Sequence, residues 1–433
     1  MSPRLHVVSL GCAKNQVDTE IMLGSLSAAG CTCDAGPADA DVLLVNTCAF
    51  IKPARDEAVA VIRPLARAKR PGQKLIVCGC LAQIHRAQFE EALPGVDAWI
   101  PIRDEKRIVD IVGRWFPVAP GAGPARRVRL APRHSAYLRI ADGCSHRCAF
   151  CTIPAIRGRY RSVAQADLLR EASCLADEGV VELNLIAQDS GAYGRDLAPR
   201  STLAALLRKL CAVPGIEWIR VQYLHPATVT ADLLAVMASE PKICPYIDLP
   251  LQHCADRILR SMHRPGRAFT STVLDRIRAR LPHVSLRTTF ITGYPGETEA
   301  EFAQLVRFVT RSRFQHVGVF PFVREKGTEA YQAPGQVPAR TKRARRNVLM
   351  RLQQRISLEL NRELVGETIP VLIDSVAADG PARGRRRGDA PGVDNTVHVA
   401  PARVCRPGAI VPVLVERALP YDLFGSCVME DDR

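Results

Sequence analysis

Three cysteines stand close together at residues 144, 148 and 151, in the stretch GCSHRCAFC. Three thiolates at this spacing can grip one face of an iron-sulfur cluster, and with no fourth cysteine nearby one iron would be left open. A structural zinc site wants four protein ligands; His146 is the remaining candidate, but it sits inside the loop at a spacing unlike that of zinc fingers. A cluster therefore suits these residues better than zinc or coincidence. An open iron can chelate the amino and carboxylate groups of S-adenosylmethionine (SAM) and pass one electron into its sulfonium, while the protein holds cluster and cofactor in line and excludes water.

Cys12, Cys48 and Cys80, in SLGCAKN, VNTCAF and CGCLAQ, form a second candidate set that is visible only once the elements are placed. In the first 115 residues, β-prone apolar runs at 5–11, 41–47, 74–79 and 96–102 alternate with helical stretches. That alternation predicts parallel strands joined by crossover helices. Each cysteine falls one or a few residues past a strand end. Parallel strands end on one edge of their sheet, so the three should converge and again offer three thiolates and an open iron. The competing reading is three buried small hydrophobes, and Cys78 is a neighbour that could be mistaken for Cys80.

A Pro-, Gly- and Arg-rich linker is expected at 117–133. From 136 to 323 six strand candidates recur, at 136–143, 181–188, 218–225, 246–252, 285–293 and 316–323, with helical segments between them. Six βα units suggest a complete or partial parallel barrel, in which ligands collect at the C-terminal strand ends. An Arg- and Leu-rich helix follows over 339–364. The runs TIPVLIDSV, TVHVA and AIVPVLVERA then read as a small antiparallel barrel.

The chain has 433 residues, 47% of them apolar and 24% charged, enough for two to four soluble domains. No apolar run approaches the ~20 residues of a membrane helix, and the start lacks the features of a signal peptide. A cytoplasmic location with no membrane partner is expected. Fifteen cysteines, odd in number and clustered at short gaps, point to reduced thiols and metal chemistry rather than a disulfide scaffold. A net charge of +15 favours polyanions without choosing among them. Arginines concentrate at 126–133, 157–161, 340–351 and 383–387, where a solvated basic surface competes with a docking track.

C-x3-C-x2-C with Phe150 before the last cysteine resembles the cluster loop of the radical SAM superfamily. Together with the N-terminal triad and the small C-terminal barrel, it makes the chain similar to the methylthiotransferase family. The stretches VSLGCAKNQVDTE, VNTCAFI, YLRIADGCSHRCAFCTIPAIRGRYRS, LIAQDSGAYGRDL, DLPLQH, RTTFITGYPGETEAEF and ALPYDLFGS resemble the branch that modifies an aspartate in small-subunit ribosomal protein S-twelve. The tRNA-modifying branch more typically has a different stretch after the first cysteine and an NTCSIR-like second one. Departures are small: Ala13 and Ala49 stand where the branch commonly has Pro and Gly, and Gly392 and Asn395 flank Asp394 in place of Glu and Gly.

The resemblance implies an α/β protein with an N-terminal parallel α/β domain over 4–117, a partial (βα)6 radical SAM barrel over 130–361 and a small antiparallel TRAM-like barrel over 363–430. It implies two [4Fe-4S] clusters, a sulfur-delivering auxiliary one on Cys12, Cys48 and Cys80 and a radical-generating one on Cys144, Cys148 and Cys151. The reaction would replace an unactivated C-H at the β-carbon of an aspartate in S-twelve by C-SCH3, which no side-chain base could achieve because that hydrogen is not acidic enough. Expected partners are S-twelve, free or in the small subunit, an electron donor, and ribosomal RNA. The alternatives are methylthiolation of a tRNA adenosine and, from another class, a non-catalytic iron-sulfur scaffold bound to RNA.

Further residues carry paired expectations. Phe150 would pack near the SAM adenine or serve as a core aromatic; Gln188 would reach SAM or substrate, or cap a loop with Asp189. Arg157, Arg159 and Arg161 would bind a carboxylate or form a solvated basic turn. GYPGE at 293–297 lacks the ending of a phosphate loop and reads as a strand-to-helix turn beside SAM. His225 and His253 read as structural, and Cys31 and Cys33 receive no role. Arg385, Arg386 and Arg387 are expected on a turn open to protein or RNA, with Asp389 and Asp394 shaping a contact face for a basic partner.

Overall fold

The computed structural model describes residues 2–119, 126–377, 380–402 and 405–428. Residues 120–125 of the expected linker and the chain after 428 lie outside them. The chain forms two compact units: one of Met1–Ala131, Gly143–His146 and Cys151–Tyr160, the other of Pro132–Asp142, Arg147–Phe150 and Arg161–Arg433.

In the first unit β1 (Leu5–Ser9), β2 (Val42–Thr47), β3 (Lys74–Gly79) and β4 (Ala98–Pro101) pair in that order, all parallel. They are linked by α1 (Ala13–Ala28), α2 (Lys52–Ala68), α3 (Cys80–Ile84) and α4 (Arg86–Glu90), with α5 (Ile108–Val112) after β4. Every residue of β2 is buried, which is why VLLVNT reads as a continuous run rather than an alternating one. Leu43 and Val45 face a core with Ile62, Val77 and Leu81, while Val42 and Leu44 face another with Met22, Leu26 and Ile108. A further short helix, α6 (Ile153–Arg157), adds Ile156 to the former core. The described end of the linker runs along α1: the amides of Val128 and Leu130 donate to the backbone and side-chain oxygens of Glu20 at 3.1 and 3.0 Å.

All six expected barrel strands occur in the second unit. The chain runs through β5 (Ser135–Arg139), β6 (Ala141–Asp142), β7 (Arg161–Ser162), α7 (Gln165–Asp177), β8 (Glu182–Ile186), α8 (Leu203–Cys211), β9 (Trp218–Val221) and α9 (Ala231–Ser239). It continues through β10 (Tyr246–Asp248), α10 (Asp256–Ser261), α11 (Arg267–Arg280), β11 (Ser285–Thr292), α12 (Glu299–Ser312), β12 (His316–Pro321), α13 (Glu329–Gln332) and α14 (Ala339–Arg362). The parallel triplets β5-β8-β9 and β10-β11-β12 meet through an isolated parallel bridge between Ile219 and Ile243, giving a partial barrel. No described helix is long and apolar enough to cross a membrane.

In the same unit β13 (Thr368–Val376), β14 (Ala382–Arg386), β15 (Thr396–Ala400), β16 (Ile410–Ala418) and β17 (Asp422–Cys427) close into a barrel in the order 13-14-15-17-16. The expected small antiparallel barrel is present, with one parallel joint between β15 and β17. An odd number of strands cannot close with every neighbour reversed, so one parallel pair is obligatory.

The arginines at 385–387 depart from expectation. Arg385 lies in β14, is 4% exposed, and donates to Glu182 of β8 and Asp374 of β13, each at 2.7 Å. Arg220 of β9 shares Glu182 at 3.1 Å. Burial alone would raise the Glu182 carboxyl, but the guanidinia of Arg385 and Arg220 outweigh it and hold the group well below the carboxylate range. Arg386 pairs with Asp389 at 2.9 Å, and Arg387 donates to the carbonyl of Ile243 at 2.8 Å. Asp389 is buried and the Asp394 side chain is turned inward: His316 stands 3.1 Å from Asp389, and Tyr246 and Arg287 bond to Asp394. This segment fastens the small barrel to the strands of the large one, with only Arg387 of the three on a turn.

Candidate functional site

The loop ends past β1, β2 and β3 bring Cys12, Cys48 and Cys80 together within the first unit. Cys12 caps the N-terminus of α1, Cys48 follows the last residue of β2, and Cys80 opens α3. Gly11 makes the approach possible: its φ is +94°, and a Cβ there would stand 2.7 Å from the Cβ of Cys48. Gly79 plays the same part at β3, with φ +88° and a virtual Cβ 2.6 Å from the carbonyl oxygen of Thr47.

The focus is Asn15, one turn into α1 and 1% exposed. Its Oδ1 lies 3.7 Å from Cys12 Sγ and 3.8 Å from Cys80 Sγ, and accepts from Arg157 Nη2 at 2.9 Å. Its Nδ2 donates to Thr47 O at 2.8 Å, tying helix to sheet edge. Arg157 also pairs with Asp18 at 2.7 Å, both side chains being nearly inaccessible. The Cys80 thiol donates to Cys48, which lowers the Cys48 thiol to about 6 and, together with burial, pushes Cys80 up. Cys78 is excluded: it lies in the other core, with Sγ 3.6 Å from Val45 O. Among the described residues no three Cys, His, Asp or Glu side chains are closed up at metal-ligand spacing. Cys12 and Cys80 instead flank one amide oxygen with a buried cation beside it, and Cys48 is bonded to Cys80; this soft donor set, whose charge Arg157 would offset, fits an iron-sulfur group.

The second cysteine set lies in the loop after β6. Cys144 and Cys151 belong to the first unit and Cys148 to the second. On the first side, the amide of Cys144 donates to Gly158 O at 3.1 Å, and Thr152 Oγ1, next to Cys151, donates to Phe50 O at 3.1 Å. Arg157 thus forms no solvated turn, and the carboxylate that it binds is the chain's own Asp18; Arg159 and Arg161 are the exposed members of that run.

On the second side, three consecutive residues after α10 clasp the limb carrying Cys148. Met262 O accepts from Ala149 N at 3.2 Å, the His263 ring donates to Arg147 O at 2.9 Å, and Arg264 Nη1 lies 3.8 Å from Cys148 Sγ. His263 takes a left-handed φ of +55°, uncommon for a side chain of its size. Arg264 Nε is buried without a partner, a donor left over beside the thiol and a second sign of fit to an anionic group. Phe150, half-buried, packs against the cluster of Ala255, Ile258, Met262 and Tyr294. Gln188 donates to Asp142 Oδ1 at 3.3 Å and keeps a buried Oε1 unpaired, whereas Asp189 caps its loop by accepting from Thr228 Oγ1 at 2.9 Å.

GYPGE forms the expected strand-to-helix turn between β11 and α12, started by a capping box of Thr298 and Glu301. It borders a cavity of about 540 Å³ whose lining includes Ala149, Arg257, His263, Tyr294 and Glu329. His225 is structural as expected, its Nδ1 accepting from Ala227 N at 3.1 Å. His253 accepts likewise from Ala255 N at 3.0 Å, and its Nε2 stands 3.7 Å from the buried Glu297 carboxylate. Sequence reasoning missed Asn15 and Asp18; their signal was the three-residue spacing from Cys12, which puts all three on one helix face.

Comparison with known proteins places this geometry. Residues 4–101 match the uncharacterized protein family UPF0004, 138–309 the Radical SAM superfamily and 365–428 the TRAM domain. The ribosomal protein uS12 methylthiotransferase RimO of Syntrophus aciditrophicus is 44% identical over 450 residues, covering 99% of each chain. The protein of the same name from Anaeromyxobacter sp. (strain Fw109-5) is 44% identical over 442 residues, covering 99% of this chain and 94% of its own. Among solved structures, the radical S-adenosylmethionine methyltransferase TsrM from Kitasatospora setae superposes with a TM-score of 0.56 at 13% identity, over 88% of this chain and 78% of its own, a likeness of fold.

Proposed function

The chain belongs to the RimO family of ribosomal protein uS12 methylthiotransferases, and from that premise we propose how its residues divide the work. It is a radical SAM enzyme that adds a methylthio group to uS12, the S-twelve protein, at the β-carbon of an aspartate. Its cofactors are SAM and two [4Fe-4S] clusters, one held by Cys144, Cys148 and Cys151 and one by Cys12, Cys48 and Cys80. When bound, they supply one electron for cleaving SAM and the sulfur for the substrate carbon.

The chain's own residues do the positioning. Asn15 and Gly11 set the spacing of the strand-edge thiols, and buried Arg157 offsets their negative charge. Met262, His263 and Arg264 fix the Cys148 limb. Phe150 walls the SAM side, and the unpaired Oε1 of Gln188 is free to accept from the SAM amino group. Domain limits near 4–117, 130–361 and 363–430 suit this division. An electron-transfer protein reduces the enzyme, and the reaction takes place in the cytoplasm with the ribosomal substrate.

The observation that carries this reading is the convergence at one sheet edge of Cys12 and Cys80 on Asn15, with Cys48 bonded to Cys80, in a chain whose second cysteine set has the radical SAM spacing. Mass spectrometry of uS12 and of bulk tRNA from a deletion strain tests it. The methylthio mark should vanish from uS12 and tRNA should be unchanged; loss from tRNA alone would overturn the substrate assignment.

A further inference from the structure

With Arg385 and Arg386 held in ion pairs and Arg387 bonded to backbone carbonyls, an exposed basic surface is to be sought elsewhere. The helix α14, 24 residues long, provides one. Arg340, Arg343, Arg346, Arg351 and Arg355 are all exposed. At ~100° per residue they fall within roughly half of the helix circumference, along ~22 Å of its length. None is ion-paired among the described residues; Arg346 bonds only to the Asn347 amide, and the nearby acids Glu359 and Glu363 are taken by Arg313.

Helix stability does not explain this placement. The first turn holds no acidic residue, and Arg340, Lys342, Arg343, Arg345 and Arg346 crowd the end whose partial positive charge repels cations. Arg345 is turned inward to Glu297 and Glu299, and Lys342 donates to Phe322 O at 3.0 Å, so those two have structural work. The others break a local rule with no compensating partner, a pattern expected where sequence serves binding. The choice of arginine favours phosphate, which its planar fork matches in two bonds. The basic end also has a definite address: Thr292 Oγ1, at the C-terminal end of β11, donates to Lys342 O at 3.1 Å. The arginine face therefore starts at the mouth of the barrel, where substrate must arrive.

We propose that the exposed arginine face of α14 is a docking surface for the phosphate backbone of double-stranded RNA. On the uS12 reading, that RNA is the ribosomal RNA around the substrate protein, and docking presents uS12 to the barrel mouth in an assembling or assembled subunit. RNA binding itself does not depend on that reading.

The test uses the full-length holoenzyme and a fluorescent 20-base-pair RNA duplex as probe. Changing Arg343, Arg346, Arg351 and Arg355 to Gln should weaken binding at least about tenfold at ~0.1 M salt, and flatten the salt dependence by roughly one unit for each phosphate no longer neutralised. The matched variant Arg63→Gln, Arg67→Gln, Arg280→Gln, Arg311→Gln removes equal charge elsewhere and should bind nearly as the parent. A variant with Lys at the four α14 positions should keep most of the affinity, which separates charge from misfolding. Equal losses in the two Gln variants, or none in either, would overturn the proposal. So would intact RNA binding with turnover lost only when a protein electron donor replaces dithionite, which would assign the face to an acidic protein. Modification of free uS12 by the α14 variant should be unchanged; a loss there would also overturn it, while absence of uS12 modification by the parent would count against the functional reading alone.

Discussion

The strand-edge cysteines and the limb carrying Cys148 are held by opposite means. The first set is built into regular structure: three strand ends, two glycines with positive φ and a buried Asn15-Arg157-Asp18 chain determine where the thiols lie. The second depends on side chains and carbonyls of a short segment after α10, with one residue in a left-handed conformation and one guanidinium donor unpaired. A sheet edge gives a rigid frame that tolerates little change, whereas a clasped loop can be adjusted by the group it binds. Damage to the frame should therefore register as lost stability, and damage to the clasp as altered cluster properties.

The contrast is sharpest at the arginines. Arg157→Met removes the cation beside buried Asp18 and should destabilise the first unit by about 3–5 kcal/mol, read from urea unfolding of the reduced apoprotein. A loss near zero would show that this ion pair is not part of the frame. A smaller cost, about 1–3 kcal/mol, is expected for Gly11→Ala, which combines a disfavoured φ with a clash against Cys48. Its iron content should fall from two clusters per chain towards one. The smallest change in stability, about 1 kcal/mol, belongs to Arg264→Gln, which gives up a donor to Cys148. There the informative readout is the EPR spectrum and midpoint potential of the loop cluster, which should shift while stability hardly moves. An unchanged spectrum with a large loss of stability would reverse the comparison.

How much of this was legible in sequence varied with the range of the interaction. The parallel strands at 41–47 and 74–79 announced themselves as continuous apolar runs, and the convergence of Cys12, Cys48 and Cys80 followed from topology alone. The six barrel strands were equally plain. Asn15 and Asp18 were hidden because polar residues in a helix usually face water, and only the tertiary placement of Arg157 turns them inward. The arginines at 385–387 misled for a related reason. A run of arginines looks solvated until its acids are known, and Glu182 lies 203 positions away from Arg385 in the chain. On α14 only Arg345 of a similar run finds such acids among the described residues, so much the same composition has opposite meanings in two elements. The parallel joint of the C-terminal barrel was not legible, because only three of its five strands stood out as β-prone runs and the need for a parallel pair follows from the odd number.

The central claim is that the two cysteine sets do different chemistry, and one reaction mixture tests it. The variant with Cys12, Cys48 and Cys80 all changed to Ala is incubated with uS12, SAM and dithionite, and 5′-deoxyadenosine and methylthio-uS12 are measured together. The expected result is that 5′-deoxyadenosine forms and methylthio-uS12 does not. A folded variant that retains the loop cluster yet cleaves no SAM, or one that still makes methylthio-uS12, would contradict it.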